Sequence, residues 1–171
     1  MSTTDPAGKP AVVDEMMSGA EYLESLRDDR AIYLYGERVR DVTTHPAFRN
    51  AARSIARLYD ALHDPANRDL LTIVDRSGIR THRFFTASYS ADELLAARDA
   101  MAAWARLTYG FMGRTPDYKA AFMATLGTNP EFYKGYEENA RRWYRRFASK
   151  ALYLNHVLIN PPVDRMKPVH E

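Results

Sequence analysis

Cysteine is absent from the 171 residues, and its absence excludes several classes of protein at once. Disulfides, thiolate zinc sites, iron-sulfur clusters and cysteine nucleophiles all require a thiol. Long apolar runs are also absent, because no window approaches the roughly 20 apolar residues of a membrane span. Residues 1–13 lack the basic start and apolar run of a secretory signal. We therefore expect a cytoplasmic protein that does not cross a membrane.

Net charge is almost absent as well. Lys and Arg number 24 and Asp and Glu 22, which gives a formal charge of +2 at pH 7. So small a charge provides no general attraction to nucleic acid or anionic lipid, and neither is expected as a partner. GxGxxG, P-loop and Gly-x-Ser-x-Gly motifs are missing, so Rossmann dinucleotide binding, P-loop phosphoryl transfer and α/β-hydrolase chemistry lack support.

The pattern of apolar residues predicts a mainly helical protein with two small β-hairpins. Residues 1–17, rich in Ser, Thr, Pro and Gly, predict a disordered leader. One hairpin is predicted over 32–39 with its turn at Gly36-Glu37, and another over 70–85 around Arg76-Ser77-Gly78. Helices are predicted over 20–27, 46–63, 91–112, 116–126 and from 130 to about 149.

Several residues predict where these helices begin and end. Ser18 and Ser90 are predicted N-caps, the second within a capping box that Glu93 completes. Thr44 or His45 is expected to open the helix over 46–63, which should stop at Asp64-Pro65. In the last helix, four aromatic residues are expected to point inward: Phe132, Tyr136, Trp143 and Phe147.

The junction from Gly113 to Tyr118 is the most informative short segment. Thr115 is a predicted N-cap with Pro116 at the first helical position and Asp117 in the first turn, and Gly127 is expected just past the end of this helix. A cation at Arg114 would strengthen an anion site at the helix N-terminus. Together with the Tyr118 hydroxyl, it could hold a phenolate or carboxylate oxygen. Alternatively, Arg114 pairs with Asp117 and Tyr118 is a half-buried core residue.

Histidine offers one further candidate. His156 lies in the apolar stretch 154–159, whereas His82 and the other three histidines occupy polar or turn-like contexts. An ordinary pKa near ~6.5 would let His156 take or share a proton at neutral pH. The alternative is a histidine that only binds a backbone carbonyl. No histidine has a second ligand at metal spacing, so no metal site is expected.

Three blocks, 113–118, 138–144 and 154–162, resemble in order and spacing the oxygenase component of 4-hydroxyphenylacetate 3-hydroxylases, as does the earlier segment 18–28. The resemblance implies a two-component monooxygenase: a separate reductase supplies reduced FAD, and the oxygenase adds a hydroxyl ortho to that of a phenol such as 4-hydroxyphenylacetate. It also implies an acyl-CoA dehydrogenase-like fold, with an N-terminal helical domain, a middle β-domain and a C-terminal bundle that forms a homo-tetramer.

The resemblance also assigns residues. It places the phenol on Arg114, Tyr118 and His156, within a loop that includes Thr115, Pro116 and Asp117. It implies flavin contacts from His156 and from the segment after it: Pro162, Val163, Asp164 and Arg165. These matches favour the functional interpretation of the arginine, the tyrosine and the histidine over the structural one.

Length departs from the family pattern. We expect a helical domain over 18–152 and the start of a truncated β-domain over 153–171, so that the isolated chain neither binds FAD tightly nor hydroxylates a phenol. Two alternatives stay open. The chain could be a non-catalytic truncated paralogue or helical interaction subunit, or it could derive from a family member that acts on halogenated phenols.

Overall fold

A computed structural model describes residues 12–111, 116–156, 164 and 166–168. Within these residues the protein is mainly helical with two antiparallel hairpins, as the sequence predicts. The α-helices are α1 (Gly19–Ser25), α2 (Arg49–His63), α3 (Pro65–Leu71), α4 (Ala91–Leu107), α5 (Asp117–Thr128) and α6 (Glu137–Ser149). The strands are β1 (Ile32–Leu34), β2 (Glu37–Val39), β3 (Thr72–Val74) and β4 (Arg80–His82), and 3-10 turns cover Arg83–Phe85 and Pro130–Tyr133.

Two capping boxes begin α1 and α4, and both confirm the predicted serine caps. At α1, Glu21 N–H donates to Ser18 Oγ at 3.2 Å and Ser18 N–H donates to the Glu21 carboxylate at 2.7 Å. At α4, Ser90 and Glu93 make the same reciprocal pair, each at 3.2 Å. Each box satisfies backbone donors that a helix start otherwise leaves without a partner.

The start of α2 and the residues after it differ from the prediction. The helix begins at Arg49, and Phe48 at its N-cap makes no side-chain cap hydrogen bond, so neither Thr44 nor His45 opens the helix. Asp64 does end α2, but its side chain also accepts from Ala66 N–H and caps α3. A residue before proline favours extended backbone, so Asp64 can stop one helix and start the next.

The hairpins form with shorter strands than predicted. The first turn lies at Tyr35 and Gly36, one residue earlier than the predicted Gly36-Glu37, with φ angles of 51° and 84°. Two successive positive φ angles match the twist of a tight hairpin. In the second hairpin, Val74 pairs with Arg80, and the Asp75 carboxylate accepts from Ser77 N–H at 2.9 Å.

Residues 13–17 make defined contacts with the rest of the chain, so the prediction of a disordered leader up to residue 17 is wrong for this part. Val13 N–H donates to the Gly78 carbonyl at 2.9 Å, and Arg80 N–H donates to the Val13 carbonyl at 2.8 Å. Met16 is only 5% exposed and lies in the core. Local composition could not indicate this packing, because the segment is stabilised by an edge of β4 that is distant in sequence.

α5 and α6 pack closely through Gly127 and Tyr144. The predicted end of α5 at Gly127 is wrong, since the helix continues to Thr128. A Cβ at Gly127 would lie 2.5 Å from Tyr144 Cγ, so glycine is required by the neighbouring ring. The inward face of α6 consists of Ala140, Tyr144 and Ala148.

Of the four aromatic residues predicted to point inward, Phe147 packs against the core as predicted. The prediction is wrong for Phe132 and Tyr136, which are 77% and 69% exposed, and Trp143 is 41% exposed and stacks on Phe147 with ring centroids 5.5 Å apart. Alanines at the contact positions let α6 approach α5 closely. A pattern of large apolar residues does not indicate a helix face that is made mostly of alanine.

Candidate functional site

The first turn of α5 carries two of the predicted site residues. Asp117 begins the helix, and Pro116 is a buried N-cap, not the first helical residue as predicted. Ala120 N–H donates to the Pro116 carbonyl at 3.4 Å. Arg114 and Thr115 lie outside the described residues, so the predicted guanidinium and threonine cap stay predictions. Pro116 makes no side-chain cap hydrogen bond at this helix start.

Lys119 connects the two stretches that the sequence analysis singled out. Its Nζ is hydrogen-bonded to Nδ1 of His156 and lies 4.2 Å from the ring centroid of Tyr118. The same Nζ is 5.2 Å from the ring centroid of Phe122. Tyr118 and His156 therefore contact one ammonium group although they lie far apart in the chain. Sequence reasoning missed Lys119, because only the return of the chain after α6 reveals its contact with the histidine.

The path of the chain after α6 explains the position of His156. Ala151 has a φ of 48°, which turns the chain out of the helix, and Leu152 N–H donates to the Phe147 carbonyl at 3.0 Å. Tyr153 N–H then donates to the Tyr59 hydroxyl of α2 at 2.8 Å. Residues 152–156 form no regular secondary structure, and His156 is exposed. The predicted apolar setting of this histidine is therefore wrong.

The buried histidine is His82, for which the sequence analysis predicted a polar or turn-like context. It is 2% exposed, its ring stacks on Phe85 with centroids 4.5 Å apart, and Trp104 lies edge-on at 6.5 Å. Neither ring nitrogen has a hydrogen-bond partner in the described part of the chain. Burial lowers the pKa of His82 to about 3, so the ring is neutral at physiological pH. The two aromatic residues at 84 and 85 are the sequence signal for this core position.

Two partly or fully buried tyrosines, Tyr59 and Tyr153, lie between the helical core and the segment that carries His156. Burial raises the pKa of Tyr59, whose hydroxyl accepts the Tyr153 N–H. Burial also raises the pKa of Tyr153, and the nearby negative charge of Asp117 adds to this increase. Both phenols are therefore neutral at physiological pH. They attach the segment before His156 to the core and do not titrate.

Of the predicted flavin-contacting segment, only Asp164 and His156 are among the described residues. Asp164 is exposed, and its Oδ1 accepts from Met166 N–H at 3.0 Å. Pro162, Val163 and Arg165 lie outside. In the described ranges, no group of three or more His, Asp or Glu side chains is placed to hold a metal ion. Nor is any helix there long and apolar enough to span a bilayer.

Comparison with known proteins shows the family to which this chain belongs. The family model for the 4-hydroxyphenylacetate 3-hydroxylase N terminal matches residues 18–171. The chain is 61% identical over 157 residues to the oxygenase component of 4-hydroxyphenylacetate 3-monooxygenase from Pseudomonas aeruginosa, covering 90% of this chain and 30% of that protein. It is 56% identical to the oxygenase component of a 4-nitrophenol 2-monooxygenase from Rhodococcus sp., over 91% of this chain and 30% of that one. The chain thus spans about a third of these relatives' length.

Solved structures agree with the sequence comparisons. The oxygenase component of 4-hydroxyphenylacetate 3-monooxygenase in complex with FAD and 4-hydroxyphenylacetate matches with a TM-score of 0.77 and 36% identity, over 89% of this chain and 32% of that one. A 4-hydroxybutyryl-CoA dehydratase from N. maritimus matches with a TM-score of 0.65 at 22% identity, which shows a shared fold alone. The family model and the close relatives together show that this chain belongs to the 4-hydroxyphenylacetate 3-hydroxylase family and corresponds to its N-terminal part.

Proposed function

We propose that this chain is the phenol-holding N-terminal part of a two-component, FAD-dependent aromatic monooxygenase. The enzyme would use reduced FAD from a separate reductase to place a hydroxyl ortho to that of a phenol such as 4-hydroxyphenylacetate. The observation that carries this proposal is the Lys119 ammonium, which contacts both His156 and the ring of Tyr118. Relatives named for action on 4-hydroxyphenylacetate and 4-nitrophenol support a phenolic substrate.

Ionising the phenol is the chemical task that this site suits. Hydroxylation by an electrophilic oxygen requires an electron-rich ring, whereas a phenol with a pKa near ~10 is almost wholly neutral at pH 7. Lowering that pKa to ~8 requires about 2.7 kcal/mol of preferential stabilisation of the phenolate. A guanidinium at Arg114, close to a helix N-terminus, and two hydrogen-bond donors are together sufficient.

The proposed roles follow from position. Arg114 would offset the phenolate charge, Tyr118 would orient the oxygen and His156 would hydrogen-bond to it. Thr115, Pro116 and Asp117 would shape the loop before and into α5. Lys119 adds a second positive charge within 4.2 Å of the Tyr118 ring centroid. The cluster therefore favours an anionic oxygen over a neutral one.

FAD is the cofactor that the family implies, and part of its proposed contact can be compared with the structure. His156 and Asp164 are both exposed, so a bound flavin could reach them. Pro162, Val163 and Arg165 would complete the contact. Reduced FAD would supply the two electrons with which dioxygen gives one oxygen atom to the ring and the other to water. Arg114, Tyr118 and His156 would bind and orient the phenol.

The remaining parts of the proposal concern the whole enzyme. The helical domain over 18–152, the start of a β-domain over 153–171, the flavin reductase and a homo-tetramer are all proposed from the family. A family member that acts on halogenated phenols fits the same site, because Arg114, Tyr118 and His156 would recognise only the phenol oxygen.

The test is phenol binding, measured by calorimetric titration with 4-hydroxyphenylacetate in the presence of reduced FAD without oxygen. Arg114→Met should weaken binding at least ~10-fold, which is about 1.4 kcal/mol. The control is Lys134→Met, which removes an exposed cation outside the cluster. Equal affinity of the Arg114 variant and the unaltered protein would refute the proposed phenol site.

A second function, a non-catalytic interaction subunit, is favoured by one observation. Phe111, Phe122 and Phe132 are 95%, 63% and 77% exposed, and such side chains are frequent at protein interfaces. Sedimentation with and without 4-hydroxyphenylacetate and FAD distinguishes the two functions. Assembly with no detectable binding of 4-hydroxyphenylacetate would favour the interaction subunit, whereas weak binding of FAD is expected of the isolated chain under both functions.

A further inference from the structure

We propose that Lys119 is a positioning residue that fixes the tautomer of His156, so that His156 presents a protonated Nε2 to the phenol oxygen. The inference rests on the proposed function for its substrate. The tautomer itself is argued only from atoms that the structure describes.

The direction of the hydrogen bond follows from the two groups that make it. Lys119 Nζ contacts Nδ1 of His156, and a lysine ammonium has three donors and no acceptor. Nδ1 must therefore accept, which requires that it carry no proton. A neutral imidazole with a bare Nδ1 has its hydrogen on Nε2, because the bond made by one ring nitrogen sets the state of the other.

Both partners of this bond are held in place by neighbouring groups. The Lys119 ammonium lies 4.2 Å from the Tyr118 ring centroid and 5.2 Å from that of Phe122, so two aromatic faces attract it. On the other side, His156 N–H donates to Asn155 Oδ1 at 2.8 Å. The ammonium and the histidine backbone each therefore have a second contact, and the contacts of the ammonium hold the donor beside Nδ1.

This tautomer changes the role expected of His156, which was predicted to accept or share the phenol proton. With Nδ1 occupied by Lys119, the remaining nitrogen is a donor, and it stabilises the oxygen after ionisation. The phenol proton then leaves to solvent and not to the imidazole. Lys119 acts on the substrate through His156, and its own charge adds to the positive field of the cluster.

Nitrogen-15 NMR of protein labelled at histidine measures the tautomer directly. The unaltered protein should show His156 with an unprotonated Nδ1 and a protonated Nε2, and His156→Gln identifies the resonances by their loss. Lys119→Glu replaces a donor with an acceptor and should protonate Nδ1. Lys119→Met should leave the ring exchanging between tautomers, whereas Lys119→Arg keeps a donor and should preserve the original state. Lys134→Met is the matched control and should change nothing.

The same variants connect the tautomer to phenol binding. Lys119→Glu should weaken 4-hydroxyphenylacetate binding about tenfold or more, the loss expected for one hydrogen bond to a charged oxygen, and Lys119→Arg should restore most of it. His156 resonances that are identical in the unaltered, Glu and Met proteins would overturn the assignment of Lys119, even if the phenol binds. A Lys119-dependent tautomer in a protein that binds no phenol would support the positioning contact and refute the proposed function.

Discussion

Two histidines in this protein occupy opposite environments, and each environment is the reverse of what the local sequence indicates. His82 is 2% exposed, stacks on Phe85 and has no hydrogen-bond partner among the described residues. His156 is exposed and bonded to the Lys119 ammonium. A buried imidazole without a polar partner contributes to packing, whereas an exposed imidazole with a charged partner has a defined donor and a defined acceptor.

The largest effect is expected from the packing around His82. Phe85→Ala removes a ring that is 0% exposed and should lower the free energy of unfolding by about 3–5 kcal/mol. The matched control near the candidate site is Phe122→Ala, whose ring is 63% exposed and whose loss should cost no more than about 0.5 kcal/mol. Urea denaturation measures both. Similar losses in the two variants would contradict the contrast between a packed and an exposed aromatic.

The next largest effect is the loss of stability that acid should cause through the buried His82. The pKa of His82 is lowered to about 3 in the folded protein, below the ~6.5 of an unfolded histidine. Between these values only the unfolded chain binds the proton, so stability falls as pH falls, by up to about 1.4 kcal/mol per pH unit. His82→Phe should reduce the pH dependence of the unfolding free energy between pH 6 and pH 4 by about that slope.

The control for this acid effect is Ala121→Ser, which changes no ionisable group and should retain the pH dependence of the unaltered protein. Carboxylates titrate in every variant, so the difference between the two variants isolates the buried ring. An unchanged slope in His82→Phe would show that the imidazole gains a proton without leaving the core.

A smaller loss of stability is expected from a substitution at the contact between α5 and α6. Gly127→Ala would place a methyl group 2.5 Å from the Tyr144 ring and should lower stability by about 1–3 kcal/mol, as overpacking does. Ala121→Ser changes an exposed position of the same helix and serves as the control. Thermal unfolding compares the two. Helix propensity alone would make the Gly127→Ala protein more stable than the unaltered one. That result would show that the Tyr144 ring moves aside at little cost in free energy.

The smallest stability effect belongs to the candidate site. His156→Gln removes an exposed imidazole and should change the free energy of unfolding by no more than about 0.5 kcal/mol, even as it impairs phenol binding. Denaturation and calorimetry on the same sample measure the two effects. A loss of stability as large as that of Phe85→Ala would mean that His156 is a structural residue.

Local capping chemistry made much of the fold predictable. Ser18 and Ser90 begin helices as predicted, and Glu93 completes the predicted capping box, because each partner lies within one turn. The capping box that Glu21 completes with Ser18 was not predicted. The second hairpin is predictable for a similar reason, because its turn depends on residues within the turn itself. Gly78 has a φ of 84°, and the Asp75 carboxylate accepts from Ser77 N–H.

Prediction failed where the deciding partner is distant in sequence. Gly127 is a helix-end signal by local rules, yet a ring on α6 determines its identity. His82 and His156 were assigned to the wrong environments because burial depends on the tertiary fold. In the candidate site, Tyr118 and His156 were identified from sequence through the family resemblance. Lys119 was not, since its contact arises only when the chain returns past α2.

The hydrogen bond from Tyr153 to Tyr59 gives the helical core a direct influence on the candidate site. Tyr59 is 4% exposed in the middle of α2, and the residue it anchors is three positions before His156. A displacement of α2 would consequently move the imidazole relative to the ammonium that orients it. Substitutions deep in the interior, with no contact to any substrate, can thus alter how a phenol is held.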